Sequence, residues 1–487
     1  MTVSKGRTFS NILYTGVTKG TTLGCLFISS SVIARNLSPA DYGVVGFAYV
    51  IIGFLSHFSD MGVGAAVISD AKVDERRLST AFTLKIILSA AAFVAAYFLA
   101  PFAHHFFEHP QTANVIRLLA LNFLVSTIGF LSTTMLTREM NYRALVFPGV
   151  ASAVVRCMLV VTLIWQGWRY WAIIAADIAA TLAAGLTAQL IRKVPGTLGL
   201  DKHDAEEYLR FGIPLFGSGA LVFLLLNLDN FLVGAKLGTA QLGYYALAFN
   251  WASFICVLLQ DTVNNVLLPT LSAIQNDLPA VRRWYLKTID LTAFVAVVAN
   301  ATLLVNARQF LVTFLGKGTE KWVPAILPLE ILCVYGILRA IASPAGNWVM
   351  IRGQTRVMLY ANLLGGAVEL SLLLLALRTK SIEMVAVAVL VAYVCAVAAL
   401  LPFLRREFLI RIHDIVVQIW PVAPALVMGF LVSSFLPVSL GGAIFTLAAR
   451  ASIVALAVAL THGLCSRFRC FQEAGGMILQ NVARDRA

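Results

Sequence analysis

The chain has 487 residues, of which 59% are hydrophobic and only 13% charged, with a formal net charge of +13. Soluble proteins carry about 25% charged residues, so this composition excludes a soluble globular protein. No loop between the apolar runs exceeds about 20 residues, which leaves no room for a soluble catalytic domain of about 50 residues or more. Apolar runs between polar punctuation predict about fourteen membrane-spanning helices. In chain order they cover roughly 12–34, 42–69, 79–103, 113–137, 145–166, 169–191, 211–235, 241–271, 286–314, 322–350, 356–377, 382–404, 412–437 and 441–466.

The first predicted helix carries Lys19 on a face with Thr15, Thr22, Leu26 and Ser29, spaced by threes and fours, so one side of it is polar. The helix follows Lys5 and Arg7, lacks a small-x-small cleavage site and reads as an uncleaved span. A tight turn follows, "RNLSPADYG" from Arg35 to Gly43. The second span ends near Asp60 in "HFSDMG". After the third, "HHFFEH" contains His105-x-x-Glu108-His109, the order of a zinc protease helix. Pro101 and Pro110 bracket it in a short loop, so an interfacial loop is expected there and no metal site. Lys85 and Arg117 are expected near span ends, snorkelling to headgroups.

Arg156 falls near the middle of the fifth span. The longest inner loop, Ile191 to Gly212, is broken by Pro195, Gly196 and Gly199. Asp204 is expected there as the cap of a short amphipathic helix. In the seventh span Asp229 stands beside Asn227 and Asn230, and then the opening turn returns. "VGAKLGTAQLGYYALA" (Val233 to Ala248) aligns without a gap on "IARNLSPADYGVVGFA" (Ile33 to Ala48), pairing Leu37 with Leu237, Gly43 with Gly243 and Ala48 with Ala248. Asp261 in "LLQDTV" occupies nearly the repeat position of Asp60. Arg339 lies mid-way along the tenth span and Arg450 along the fourteenth. The seven cysteines lie mostly in apolar spans and read as core residues, with no disulfide framework and no metal set.

The fold class expected is therefore an all-α integral membrane protein of about fourteen transmembrane helices. Six spans separate the two copies of the repeated turn. An even number restores orientation, which implies two six-helix bundles as parallel pseudo-twofold repeats plus two C-terminal helices. The expected domains are an N-terminal bundle 1–192, a linker 193–210, a second bundle 211–404, two added helices 405–466 and a tail 467–487. If the N-terminus is cytoplasmic, about 23 of the 37 basic residues fall in inner loops and about 7 in outer ones. The base excess is thus a topology signal for cytoplasmic termini, and nucleic acid is not an expected partner.

An ionised group at mid-bilayer costs about 2.5–3.5 kcal/mol on insertion scales, so each one needs a reason. Lys19, Arg156 and Arg339 are the candidate cavity cations. A guanidinium fork pairs phosphate oxygens bidentately, which suits the two arginines to an anionic group. The alternative is pairing with Asp177, Asp229, Asp290 or Glu369. Asp60, Asp229 and Asp261 are candidates for ion coupling or for a structural hinge.

The stretch "LSPADYGVVGFAYVIIGFLSHFSDMGVGAAVI", with "RFGIPLFGSG", "LDNFLVGAKLGTAQLGYYALAFN" and "LLPTLSAIQND" in the second half, resembles the polysaccharide transporter family. These are the Wzx-type flippases of the multidrug/oligosaccharidyl-lipid/polysaccharide superfamily. The resemblance implies alternating-access movement of an undecaprenyl-diphosphate-linked oligosaccharide to the outer leaflet, for exopolysaccharide, capsule or O-antigen synthesis. It implies a non-enzymatic protein without cofactor and names a proton or sodium gradient, membrane lipids, a polysaccharide polymerase and a chain-length regulator as candidate partners. Lipid II flippases and drug/cation antiporters of the same superfamily are the alternatives. A drug antiporter is expected to favour an acidic cavity, whereas the candidates here are mostly basic. A membrane-embedded polymerase or ligase is expected to carry a large outer loop that this chain lacks.

Overall fold

The computed structural model describes residues 5–105, 111–273, 277–317, 319–351, 355–408, 420–435 and 443–465, with side chains in the first helix from residue 20 onward. Among the described residues there is no strand. Ten helices are long and apolar enough to cross a membrane, or eleven when one bent pair counts as a single span. Contacts divide the chain into two units, Met1–Gly243 and Tyr244–Ala487.

The first unit contains α1 (Lys5–Asn36), α2 (Pro39–Asp60), α3 (Val63–Ser69), α4 (Glu75–Leu99), α5 (Thr112–Leu119), α6 (Leu121–Ser126), α7 (Phe130–Arg138), α8 (Tyr142–Trp165), α9 (Trp171–Ile191) and α10 (Lys202–Leu237). The opening turn owes its tightness to a capping box. The Ser38 hydroxyl accepts the Asp41 N–H at 3.1 Å, and the Ser38 N–H donates to the Asp41 carboxylate at 3.4 Å. Pro39 at the first helical position then costs no hydrogen bond. α2 ends at Met61 and Gly62, both left-handed at φ 36° and 67°, so α3 restarts in a new direction. The α5–α6 segment meets α7 at a 55° bend.

α10 runs unbroken for 36 residues, about 54 Å at 1.5 Å per residue. This corrects the expectation that Asp204 caps a short amphipathic helix leading into the seventh span: the helix is continuous with that span and begins earlier. The N-cap is Asp201, whose carboxylate accepts the N–H groups of His203 and Asp204 at 3.0 and 3.1 Å. The linker before it is hydrogen-bonded to α4, with Gly199 N–H on Thr83 at 3.1 Å and Asp201 N–H on Thr80 at 3.1 Å.

The second unit holds most of α11 (Thr239–Ala273), then α12 (Leu278–Val305), α13 (Ile326–Ile351), α14 (Thr355–Arg378), α15 (Ile382–Phe408), α16 (Val422–Phe435) and α17 (Ala443–Cys465). Its core is legible along α12, where Val281, Tyr285, Ile289, Ala293, Val297 and Ala301 recur every fourth residue and are all buried. That stripe packs on Ile337 and Ile341 of α13 and on Ala425, Val454 and Val458 of α16 and α17. Small and β-branched side chains allow the close approach that helix packing in a membrane requires.

Candidate functional site

Arg156 of α8 does not stand alone. Its Nε donates to Asp177 of α9 at 2.5 Å, and the Tyr49 hydroxyl of α2 donates to the same carboxylate. Both charges are largely withdrawn, at 27% and 14% side-chain exposure. Asp177 is the partner that the sequence reading held as the alternative to a substrate role. The cluster is formally neutral, and removing one member would leave an unpaired charge costing about 3–5 kcal/mol.

Lys85 of α4 is buried, contrary to the expectation that it snorkels. Its ammonium donates to the Ser59 carbonyl at 3.1 Å and to the Ser59 hydroxyl at 3.4 Å, and lies 3.7 Å from the Asp60 carboxylate. The break at Met61–Gly62 ends α2 beside it, which explains why the lysine turns inward: carbonyl and carboxylate acceptors are nearer than the headgroups. Asp60 thus closes α2 at a hinge-like break while facing a buried cation.

In the second unit Arg339 sits one turn after Tyr335 on α13, with the guanidinium carbon 5.9 Å from the Tyr335 ring centroid and Nη1 3.4 Å from its hydroxyl. Tyr393 of α15 packs edge-on against Tyr335 at 5.1 Å. Its electrostatic neighbours are Tyr335, Cys256 and Tyr393, and among the described residues no carboxylate pairs with it. Arg450 is buried and donates to the Ser433 carbonyl and hydroxyl at 3.0 and 2.8 Å.

Asp229 is buried in α10 and accepts from the Asn230 backbone and side chain at 2.7 and 3.2 Å. Lys19 falls in α1 and Asp261 in α11, but their side chains lie outside the described residues, as do residues 106–110 of the "HHFFEH" segment.

Sequence reasoning missed one cluster. Arg77 pairs with Asp70 at 2.6 Å, with Glu207 at 2.7 Å and with the fully buried Asp204 at 3.3 Å, and Arg76 reaches Asp204 at 3.2 Å. The signal was the doubled arginine in one inner loop and the acidic "DKHDAEE" in another, on the same side by loop parity. Burial pushes the Asp70 carboxyl up. The Arg77 guanidinium, the Lys72 N–H and the Tyr208 hydroxyl outweigh this and hold it below the usual carboxylate range.

Charged side chains set within long apolar helices fit a transporter. A model of the family described as polysaccharide biosynthesis protein matches residues 32–327, more than half of the chain. The lipopolysaccharide biosynthesis protein WzxC of Escherichia coli K12 is 24% identical over 72% of this chain and 71% of its own length. The teichuronic acid biosynthesis protein TuaB of Bacillus subtilis 168 is 25% identical over 62% of each chain. Among solved structures, the lipid II flippase MurJ in an inward closed conformation superposes with a TM-score of 0.75, covering 94% of this chain and 99% of that one at 13% identity, a likeness of fold. The chain belongs to the polysaccharide biosynthesis protein family.

Proposed function

We propose that this protein is a flippase that carries a lipid-linked oligosaccharide, joined through a diphosphate, across the bacterial inner membrane by alternating access. Its relatives are named for lipopolysaccharide and teichuronic acid synthesis, and its fold is that of a lipid flippase. Family and fold favour a transporter over a catalyst. The observation that carries the substrate class is Arg339, a membrane-embedded guanidinium with aromatic neighbours and no carboxylate partner among the described residues. A cation inside an apolar span with no carboxylate beside it is expensive unless an anion arrives to meet it, and a diphosphate supplies that anion. Lys19 is the second cation of this reading. Arg156, neutralised by Asp177, serves as a strut between α8, α9 and α2. Asp229 and Asp261 remain the candidate residues for ion coupling.

The test is glycan export in a strain lacking its own flippase gene, with membrane levels checked by immunoblot. A charge-assisted hydrogen bond is worth about 1.5–3 kcal/mol, so Arg339→Ala should lower export by roughly tenfold or more. Arg339→Lys should restore part of it, because the ammonium keeps the charge and loses the fork. Arg283→Ala, at an exposed position, should export normally. Export by Arg339→Ala at the wild-type level would remove Arg339 from the substrate path.

A further inference from the structure

The first unit contains an open cavity of about 650 Å³ bounded by α2, α4, α6, α9 and α10. Lys85 lies ten residues into α4, about 15 Å along it and inside the span Glu75–Ala103. Two helix breaks flank the cavity: the left-handed Met61–Gly62 step, and the 55° bend that follows α6. Discontinuous helices at mid-membrane are where transporters place polar sites.

Three hydroxyls of the lining can act only as acceptors. Ser56 donates its hydroxyl proton to the Gly53 carbonyl at 2.6 Å, Ser126 to Phe123 at 2.7 Å and Thr181 to Asp177 at 2.9 Å. Each hydroxyl therefore has only lone pairs left to offer. The Asn122 amide also lines the cavity, its oxygen without a hydrogen-bond partner among the described residues, and the Asp60 carboxylate is 59% exposed. Lys85 is committed to Ser59 and Asp60, which leaves the His57 imidazole and the Asn122 amide N–H groups as the donors of the lining. A ligand for this lining has to bring several donors, for the hydroxyls and Asp60, together with acceptors for His57 and Asn122. A phosphate brings none and would meet the Asp60 charge. A bare metal ion would compete with the ammonium already 3.7 Å from Asp60 and would leave the rings of Phe123 and Phe216, which also line the cavity, without a role. A pyranose supplies several hydroxyl donors and an apolar C–H face for those rings, and the volume lies within the range of pockets for small ligands.

We propose that this cavity is a sugar subsite, in which Asp60, Asn122, Ser126 and Thr181 accept hydrogen bonds from the glycan. It rests on the flippase reading and is separate from the cations proposed for the diphosphate.

Calorimetry on the full chain in lipid nanodiscs tests it with farnesyl diphosphate carrying one glucose, one galactose or one N-acetylglucosamine, against the methyl ester of farnesyl diphosphate. At least one glycosylated probe should bind the wild type about tenfold more tightly than the methyl ester, and Asn122→Leu or Thr181→Val should abolish that margin while leaving methyl-ester affinity unchanged. The methyl ester thereby reports the fold of each variant. If the wild type binds the methyl ester as tightly as all three glycosylated probes, or if both variants keep the margin, the sugar subsite is wrong while the flippase reading stands. Equal loss of both classes of probe in both variants would also overturn it. If the wild type binds no probe at all, the flippase reading falls with it. Sodium-dependent thermal stabilisation lost in Asp60→Asn, with the sugar margin intact, would make the cavity a cation site instead.

Discussion

Asp70 sits just beyond α3 at the basic end of the first unit, held by Arg77 at 2.6 Å, the Lys72 N–H at 2.9 Å and the Tyr208 hydroxyl at 3.2 Å. Because these contacts depress its folded pKa below the unfolded value of about 3.9, they stabilise the fold above that pH, and the stabilisation is lost as pH falls through the folded value. Thermal unfolding of Asp70→Asn in detergent should therefore show a lower midpoint than wild type at pH 7, with the gap closing as the buffer is taken below about pH 4. A gap that is constant with pH would mean that the carboxylate charge plays no part. At this scale the sequence showed which ionisable groups lie inside the membrane, since a charge in an apolar run is visible without coordinates. It named Asp177 as one possible partner of Arg156 but could not choose it, because the pairing depends on how α8 and α9 are rotated about their axes. Lys85 was misplaced for a related reason: its acceptors exist only because α2 breaks at Met61–Gly62.

At the scale of elements, α2 and α10 form an antiparallel seam, since rising numbers on one meet falling numbers on the other. Phe47 stacks on Phe231 at 5.8 Å, His57 lies 5.4 Å from Phe223, and Phe58 meets Phe216 edge-on at 6.0 Å. At one end of this seam the repeated turns touch reciprocally. A Cβ on Gly43 would stand 1.8 Å from the Thr239 carbonyl oxygen, and one on Gly243 would stand 1.9 Å from that of Pro39. The repeat was legible as a sequence echo. That they meet through bare backbone was not legible, since sequence alone sets no contact distance between segments about 200 residues apart. Cysteines replacing Pro39 and Thr239 should crosslink in native membranes, and adding Gly43→Leu should abolish the crosslink by forcing the turns apart, at a cost of about 1–3 kcal/mol for overpacking. A gel-shift assay reads both. Crosslinking that survives Gly43→Leu unchanged would show that the contact does not depend on the missing side chain.

For the whole molecule, composition and hydropathy were enough for the fold class, because a bilayer demands helices and long apolar runs announce them. The repeat boundary and the contact boundary differ: α10 belongs by sequence to the second repeat and by contacts to the first unit. Loop parity is where sequence and structure support one another. Arg76 reaches Asp201, Arg192 pairs with Glu139 at 3.0 Å, and Arg138 donates to the Val67 carbonyl at 2.6 Å, so three predicted inner loops gather at one end of the first unit. The alternate turns meet through Arg169, which grips Asp41 with contacts of 2.7 and 2.8 Å. One end of the unit therefore carries most of its loop arginines, and by the positive-inside rule we propose that this end faces the cytoplasm. Leu198 in the basic-end linker is 74% exposed, and Trp168 in the opposite turn is 50% exposed, so a cysteine at either place is within reach of a reagent. A membrane-impermeant maleimide added to intact spheroplasts should label Trp168→Cys at once and Leu198→Cys only after lysis. Labelling of Leu198→Cys in intact cells, with Trp168→Cys protected, would invert the topology read from the basic loops.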